Sequence, residues 1–264
     1  MTTILVTGGT GHLGRELVPR LATRGCNVRV LSRRPRPDVG SGIAVLKGDL
    51  VSGEGVAEAV HGVDVIAHLA SDTGALATIS SRRGTKTEVE PTRRLLEAAK
   101  RDGTPHGVYI SIVGIDTIPF AYYRTKLATE HVVANSGLPH TILRTTQWHT
   151  LAWEFCRRLT ASPLTVVPKG VRMQLLDPSE VAERMASLID AGVEGMAPDM
   201  GGPVVLGFRD IMRAYLERTR KRRIVFAATL PGKASRGFRA GHNLSPEHPD
   251  GRITWEEWLA KEAT

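Results

Sequence analysis

Cysteine is scarce in this chain of 264 residues: Cys26 and Cys156 stand far apart, with no C-x-x-C or other metal-type spacing. That excludes a disulfide framework and a cysteine zinc site, and it fits a reducing cytosol. Aromatic residues make up only 5% of the chain, and none is interleaved with the densest basic run, Arg218 to Arg223 (RTRKRR). A nucleic-acid platform needs aromatic faces on which bases stack, so this run reads as the solvated end of a helix, where cations suit the dipole. No direct role on nucleic acid is expected. Long apolar runs are missing too, none approaching the roughly 18 residues that span a bilayer. Met1 leads into an apolar strand without a basic leader region, so neither a membrane span nor secretion is expected, and the location read is cytoplasmic. The nine histidines show no H-x-x-x-H or similar spacing, and no metal is expected.

Acidic charge is in deficit. Thirty-five Lys and Arg against 27 Asp and Glu leave +8, which suits an anionic partner, a phosphorylated ligand among them, without choosing one. With 41% hydrophobic residues the chain has enough to bury a large core. Its first 145 residues alternate apolar runs (TILVTG, NVRVLSR, IAVLKGDL, DVIAHLA, GVYISIVG, HTILRT) with helical stretches such as GRELVPRLATRG and PTRRLLEAAKRDG. Buried parallel strands read as continuous apolar runs, so this alternation predicts an α/β fold: a doubly wound parallel sheet of Rossmann type covered by helices. Gly25, Gly103 and Gly137 stand where helices should end.

Beyond residue 145 the pattern changes, and 146–264 is expected to form a smaller substrate lobe interleaved with the first domain. A helix carrying Trp148, Trp153 and Phe155 is predicted there, then a strand at LTVVP and a helix near 177–190. Asp177, Pro178 and Glu180 read as N-cap, N1 and N3 of a capping box, as Thr254 and Glu257 do for TWEEWLAKEA. Residues 229–251, rich in Gly, Pro and Arg, read as a long loop.

The segment ILVTGGTGHLGREL carries the first chemistry. Gly9-Thr10-Gly11-His12-Leu13-Gly14 is a G-x-G-x-x-G directly after a strand and opening a helix, with Gly8 before it. A tight turn without Cβ, close backbone approach to a pyrophosphate and the positive end of a helix dipole are what a dinucleotide requires. At the end of the second strand, where an NAD enzyme commonly places a carboxylate for the ribose hydroxyls, this chain has Ser32, Arg33 and Arg34. Guanidinium forks suit a 2′-phosphate, so NADP(H) is expected over NAD(H). Asp49, with Leu50 in KGDL, has two open readings: an adenine contact or the cap of a turn.

These segments, with SRRP, VYISIVGID, PFAYYRTKLATEHVVANSGLPHTILRTTQWH, DPSEVAERM and TWEEWLA, resemble the atypical short-chain dehydrogenase/reductases of the NmrA-like, NAD(P)H-binding kind over nearly the whole chain. The resemblance implies a Rossmann domain with a C-terminal substrate lobe and an adenine contact by Asp49. It also implies that Ala70 and Ser71 border the cofactor and that Ser111, Tyr122 and Lys126 form the reductase Ser/Tyr/Lys set. TTQWH departs from it, replacing the proline–glycine that often follows this strand.

The chemistry can be argued beside the resemblance. A free phenol, with a pKa of about 10, is a poor donor at neutral pH, and a nearby ammonium lowers it. Four residues apart on a helix places Tyr122 and Lys126 on one face. Lys126 would tune Tyr122 and hold the nicotinamide ribose, and Ser111 would bond the substrate oxygen; the competing reading is a helix that merely carries both side chains. Tyr123, on another face, is expected to pack. Gln147, Trp148, His149 and Trp153 follow the last Rossmann strand, where open sheets bind ligands; they line the substrate or pack the core. The activity expected is NADPH-dependent reduction of a carbonyl or quinone group on a small, largely apolar molecule. The alternatives are a non-catalytic NADP(H) sensor that binds a protein partner and an isomerase or epimerase that retains its cofactor. Neither oligomeric state nor substrate identity is set by the sequence.

Overall fold

The computed structural model describes residues 1–35, 37–71, 85–192 and 195–262. The chain divides into two compact units. The first comprises Met1–Ser111, Ala121–Leu143 and Val181–Ala197, and the second Ile112–Phe120, Arg144–Glu180 and Pro198–Thr264.

The expected parallel sheet runs through the first unit. Strands β1 (Thr3–Thr7), β2 (Asn27–Ser32), β3 (Ala44–Lys47), β4 (Val65–His68), β5 (His106–Ile112) and β6 (His140–Thr145) stand in the order β3-β2-β1-β4-β5-β6. A short seventh strand, β9 (Gly195–Met196), closes the far edge against β6. The strand order reverses at β1, which pairs in parallel with β2 on one side and β4 on the other. Ligands of doubly wound sheets settle at the carboxyl ends of strands flanking such a switch point. Helices α1 (His12–Thr23), α2 (Val56–Val60), α3 (Glu90–Asp102) and α4 (Ala121–Ala134) connect these strands. Leu5, Ile66, Leu95, Ala99, Tyr109 and Ile142 form one buried cluster between sheet and helices. A π-helical turn, Thr85–Val89, leads into α3. Of the three helix-ending glycines, Gly25 and Gly137 are left-handed, at φ 80° and 77°. Gly103 is extended, at φ 176°, a conformation open to any residue.

The helix expected near 177–190 forms as α6 (Pro178–Ala191), and from Val181 onward it packs in the first unit. Two carboxylates on it, Glu183 and Asp190, grip Arg24 at the end of α1. Its capping box is only half made. Asp177 Oδ1 accepts the Ser179 N–H at 2.8 Å, but Glu180 turns instead to the Arg252 N–H at 2.7 Å.

In the second unit, α5 (His149–Leu159) and α7 (Phe208–Thr219) pack with α9 (Trp255–Glu262), which a full Thr254–Glu257 box starts. Two two-stranded sheets accompany them: β8 (Arg172–Gln174) with β10 (Val205–Gly207), and β7 (Leu164–Pro168) with β11 (Ile224–Ala228). The expected long loop at 229–251 holds a helix, α8 (Lys233–Ala240). The residue it buries is Gly237, against Ile118, so its packed side leaves no apolar period in the sequence.

Candidate active site

The glycine loop is built by backbone proximity. Gly8, at φ +73°, lies so close to the end of β4 that a Cβ would stand 2.7 Å from the Ala70 nitrogen. A Cβ on Gly14 would stand 2.4 Å from the Gly8 oxygen, so α1 starts flush against the loop. The Gly11 N–H bonds the Gly8 carbonyl at 3.0 Å and closes the turn. Gly11 caps α1 without any side-chain bond, and no acidic residue occupies the first turn. First-turn N–H groups without a side-chain cap, at the positive end of a helix dipole, fit a pyrophosphate. Thr10, His12 and Leu13 complete this cradle in sequence, Leu13 being buried under it.

At the end of β2, Ser32 Oγ accepts the Arg34 N–H at 3.0 Å, while Arg33 and Arg34 are exposed. Asp49 uses Oδ1 to accept the Val51 N–H at 2.9 Å, the turn-capping geometry, with the Leu50 carbonyl held by Arg94 at 2.6 Å.

The catalytic candidates lie in a buried polar cluster of the first unit. Tyr122, near the start of α4, reaches Ser71 Oγ with its hydroxyl at 3.1 Å. Ser71 Oγ also donates to Glu88 Oε2 at 2.9 Å, and Glu88 Oε1 faces Lys126 Nζ at 3.1 Å. Lys126 donates to the Ile110 carbonyl at 3.1 Å, tying α4 to the strand that ends with Ser111 and Ile112. Its ammonium sits over the Tyr109 ring, 4.4 Å from the centroid. Ser111, Glu88 and Lys126 are all nearly solvent-free, as is Tyr123. Sequence reading missed Glu88 altogether. Its one signal was an acidic residue at the foot of a helix, where acid suits the dipole and draws no notice.

His68, at the end of β4, stacks on Tyr109 and is bonded by Thr7 Oγ1 at 2.7 Å and Thr92 Oγ1 at 2.8 Å. Burial, then the Lys126 ammonium, pushes its pKa down to about 3. The unfolded chain, with His near 6.5, therefore binds one proton more than the folded chain between pH 6.5 and 3. Stability must fall with pH through that window, by about 1.4 kcal/mol per unit. Urea unfolding of wild type at pH 7 and pH 4 should differ by about 3 kcal/mol more than the same pair for His68→Asn. Equal differences would refute the assignment.

The residues expected to line a substrate are engaged inside the second unit. His149 has no solvent exposure and stacks on Trp255 and Trp258 at 5.8 and 5.6 Å, so it is core rather than lining. Trp153 packs edge-on against Tyr215 at 4.9 Å and against Trp258. Gln147 is buried and accepts from Asn243 Nδ2 at 3.2 Å. Aromatic burial in the core of the second unit, which periodicity cannot tell from a pocket wall, accounts for the difference. Trp148, its Nε1 donating to Thr145 Oγ1 at 3.1 Å, stays half-buried.

A switch-point sheet with a glycine loop opening a helix is the dinucleotide-binding arrangement of the short-chain dehydrogenase/reductase type. Residues 8–150 match the family model described as NAD(P)H-binding, and the chain belongs to that family. It is 31% identical over 231 residues to the (4-alkanoyl-5-oxo-2,5-dihydrofuran-3-yl)methyl phosphate reductase of Streptomyces griseus, a match spanning 84% of this chain and 76% of the relative. To the 3-beta-hydroxysteroid dehydrogenase of Mycolicibacterium neoaurum it is 33% identical over 153 residues, 49% of this chain but only 42% of that protein. The structure of an NADPH-dependent quinone oxidoreductase from Escherichia coli superposes with a TM-score of 0.80 at 18% identity, over 98% of this chain and 99% of that one, which establishes the fold. With relatives named as reductases and dehydrogenases, the chain is an NAD(P)H-dependent oxidoreductase of this type. Among the described residues no helix is long and apolar enough to cross a membrane, and no group of metal-ligating side chains gathers.

Proposed function

We propose that the protein reduces a carbonyl or quinone group on a small, largely apolar molecule with NADPH. The observation that carries this reading is the buried chain Tyr122–Ser71–Glu88–Lys126, which meets the glycine loop where Gly8 abuts Ala70. The N–H groups of Gly8 to Gly14 would hold the pyrophosphate, and Arg33, Arg34 and Ser32 the 2′-phosphate. Asp49, Leu50, Ala70 and Ser71 would border the adenosine and nicotinamide halves. Bound NADPH supplies the hydride. Tyr122 then gives its phenolic proton to the substrate oxygen, which Ser111 steadies. A lysine ammonium has three N–H donors. Glu88 and the Ile110 carbonyl engage two in Lys126, which leaves one for the nicotinamide ribose. The second unit would form the substrate lobe, with Trp148 as its lining candidate.

Cofactor titration followed by NADPH consumption against a quinone and carbonyl panel tests the reading. The substrate named for the Streptomyces relative carries a phosphate, and the chain's +8 charge suits an anion, so phosphorylated lactones belong in the panel. Oxidation of NADPH by at least one class supports a reductase. Tight NADPH binding with none oxidised would favour the sensor. Conversion of a substrate without net NADPH loss would favour an isomerase. Arg33→Ala with Arg34→Ala is expected to weaken NADPH binding about 10- to 100-fold, since charge-assisted bonds to a phosphate contribute about 1.5–3 kcal/mol. NADH binding should barely change. Equal losses for both cofactors would remove these arginines from the 2′-phosphate.

A further inference from the structure

Glu88 is a buried carboxylate that links Ser71 to Lys126 but has no part in the proton transfer assigned to Tyr122. Burying a carboxylate is costly, and a buried ion pair is often no more stabilising than apolar side chains of the same volume. Packing alone therefore does not explain a glutamate on this turn. Its oxygens divide their partners. Oε1 takes Lys126 Nζ at 3.1 Å and the Tyr109 hydroxyl at 3.3 Å, and Oε2 takes Ser71 Oγ at 2.9 Å. The same Ser71 oxygen touches the Tyr122 hydroxyl at 3.1 Å. One hydroxyl thus separates the carboxylate from the phenol.

We propose that Glu88 is a positioning residue of the reductive site: it fixes the Lys126 ammonium and the Ser71 hydroxyl, and its negative charge keeps Tyr122 protonated as the donor. The inference rests on the reductase reading for Tyr122. The phenol meets the hydroxyl that the Glu88 carboxylate holds, and the Lys126 ammonium is paired to the same carboxylate. A nearby ammonium favours a phenolate, and a nearby carboxylate favours the neutral phenol. The other titratable groups around the cluster do not remove the balance. Glu130 is buried on α4 and acts on Tyr109 in the same sense as Glu88. Tyr109, on β5, is pushed well above its ordinary pKa by burial first and by Glu88 next, and His68, on β4, is neutral above a pKa of about 3. Tyr123, beside Tyr122 on α4, has its ring centroid 6.5 Å from that of Tyr122. A reductase needs its donor protonated at working pH. A lysine alone beside the tyrosine would ionise the donor too early.

The test is Glu88→Gln, which keeps the shape and removes the charge. With Lys126 unopposed, the alkaline limb of the kcat profile for NADPH oxidation is expected to move down by about one pH unit or more. Turnover on that limb would then fall about 10-fold. A readout independent of turnover is tyrosinate absorbance, wild type minus Tyr122→Phe, whose midpoint should fall by the same step in Glu88→Gln. Glu88→Asp retains the charge but draws it back by one methylene, and should move both midpoints the same way by a smaller step. It also carries the test should the glutamine variant not fold. A merely structural glutamate would lower melting temperature in both variants and leave both midpoints in place, which would overturn the inference. Failure of the reductase reading is distinguishable. In that case no panel compound oxidises NADPH, yet the tyrosinate midpoint still reports on Glu88.

Discussion

Tyr122→Phe should bind NADPH as wild type does and turn over about 100- to 10,000-fold more slowly, the range that a positioned proton donor contributes. The ring is buried in α4 beside Tyr123 and keeps its packing in the variant; only the oxygen that meets Ser71 at 3.1 Å is removed. Ser71 keeps its bond to Glu88, so the charged cluster behind it stays assembled. The lost interaction is one made as the proton leaves, so kcat and kcat/KM should fall together while KM holds. Steady-state kinetics on the most active panel substrate, with cofactor titration alongside, checks both halves. Turnover within twofold of wild type would remove Tyr122 from the chemistry.

The second large effect separates folding from binding within the glycine loop. In Gly14→Ala the new methyl would stand 2.4 Å from the Gly8 oxygen and 2.5 Å from the Gly9 carbonyl carbon, all of it backbone that cannot rotate away. Helix α1 must shift off the loop, and overpacking of this kind costs about 1–3 kcal/mol. Melting temperature should drop with no cofactor present, and NADPH affinity with it. Gly11 differs. Its φ of −78° suits any residue, and a methyl there would meet only the Gly8 oxygen, at 3.3 Å. The folded chain's own demand for glycine is therefore weaker at 11 than at 14, and the larger effect expected at 11 is on a ligand that must approach the backbone. Gly11→Ala should melt close to wild type without cofactor and lose most of the stabilisation that NADPH confers. An alanine variant that gains as much stability from NADPH as wild type would refute the cradle.

The sequence by itself determined the features written in local periodicity and spacing. Continuous apolar runs separated by helical stretches predicted the parallel sheet, because a strand buried on both faces needs apolar residues on both. The glycine pattern after TILVT predicted the tight turn that opens α1, because turn and helix start fall within a few residues. Tyr122 and Lys126 were legible as a pair because one helical turn joins them.

What only the tertiary structure decided involves partners distant in sequence. Glu88 reaches Lys126, Tyr109 and Ser71 from a turn with no motif of its own, and no spacing rule links those four positions. Glu180 turned from the expected box to the Arg252 N–H because an unsatisfied backbone donor was brought to it by folding. Whether His149 and Trp153 line a pocket or pack the core stayed open in the sequence because an aromatic on a helix face reads alike against a ligand or against Trp255 and Trp258. Helix α8 was hidden because its buried residue is a glycine. Local pattern fixes which element forms; which charges meet inside depends on chain segments that only the completed fold brings within a hydrogen bond of one another.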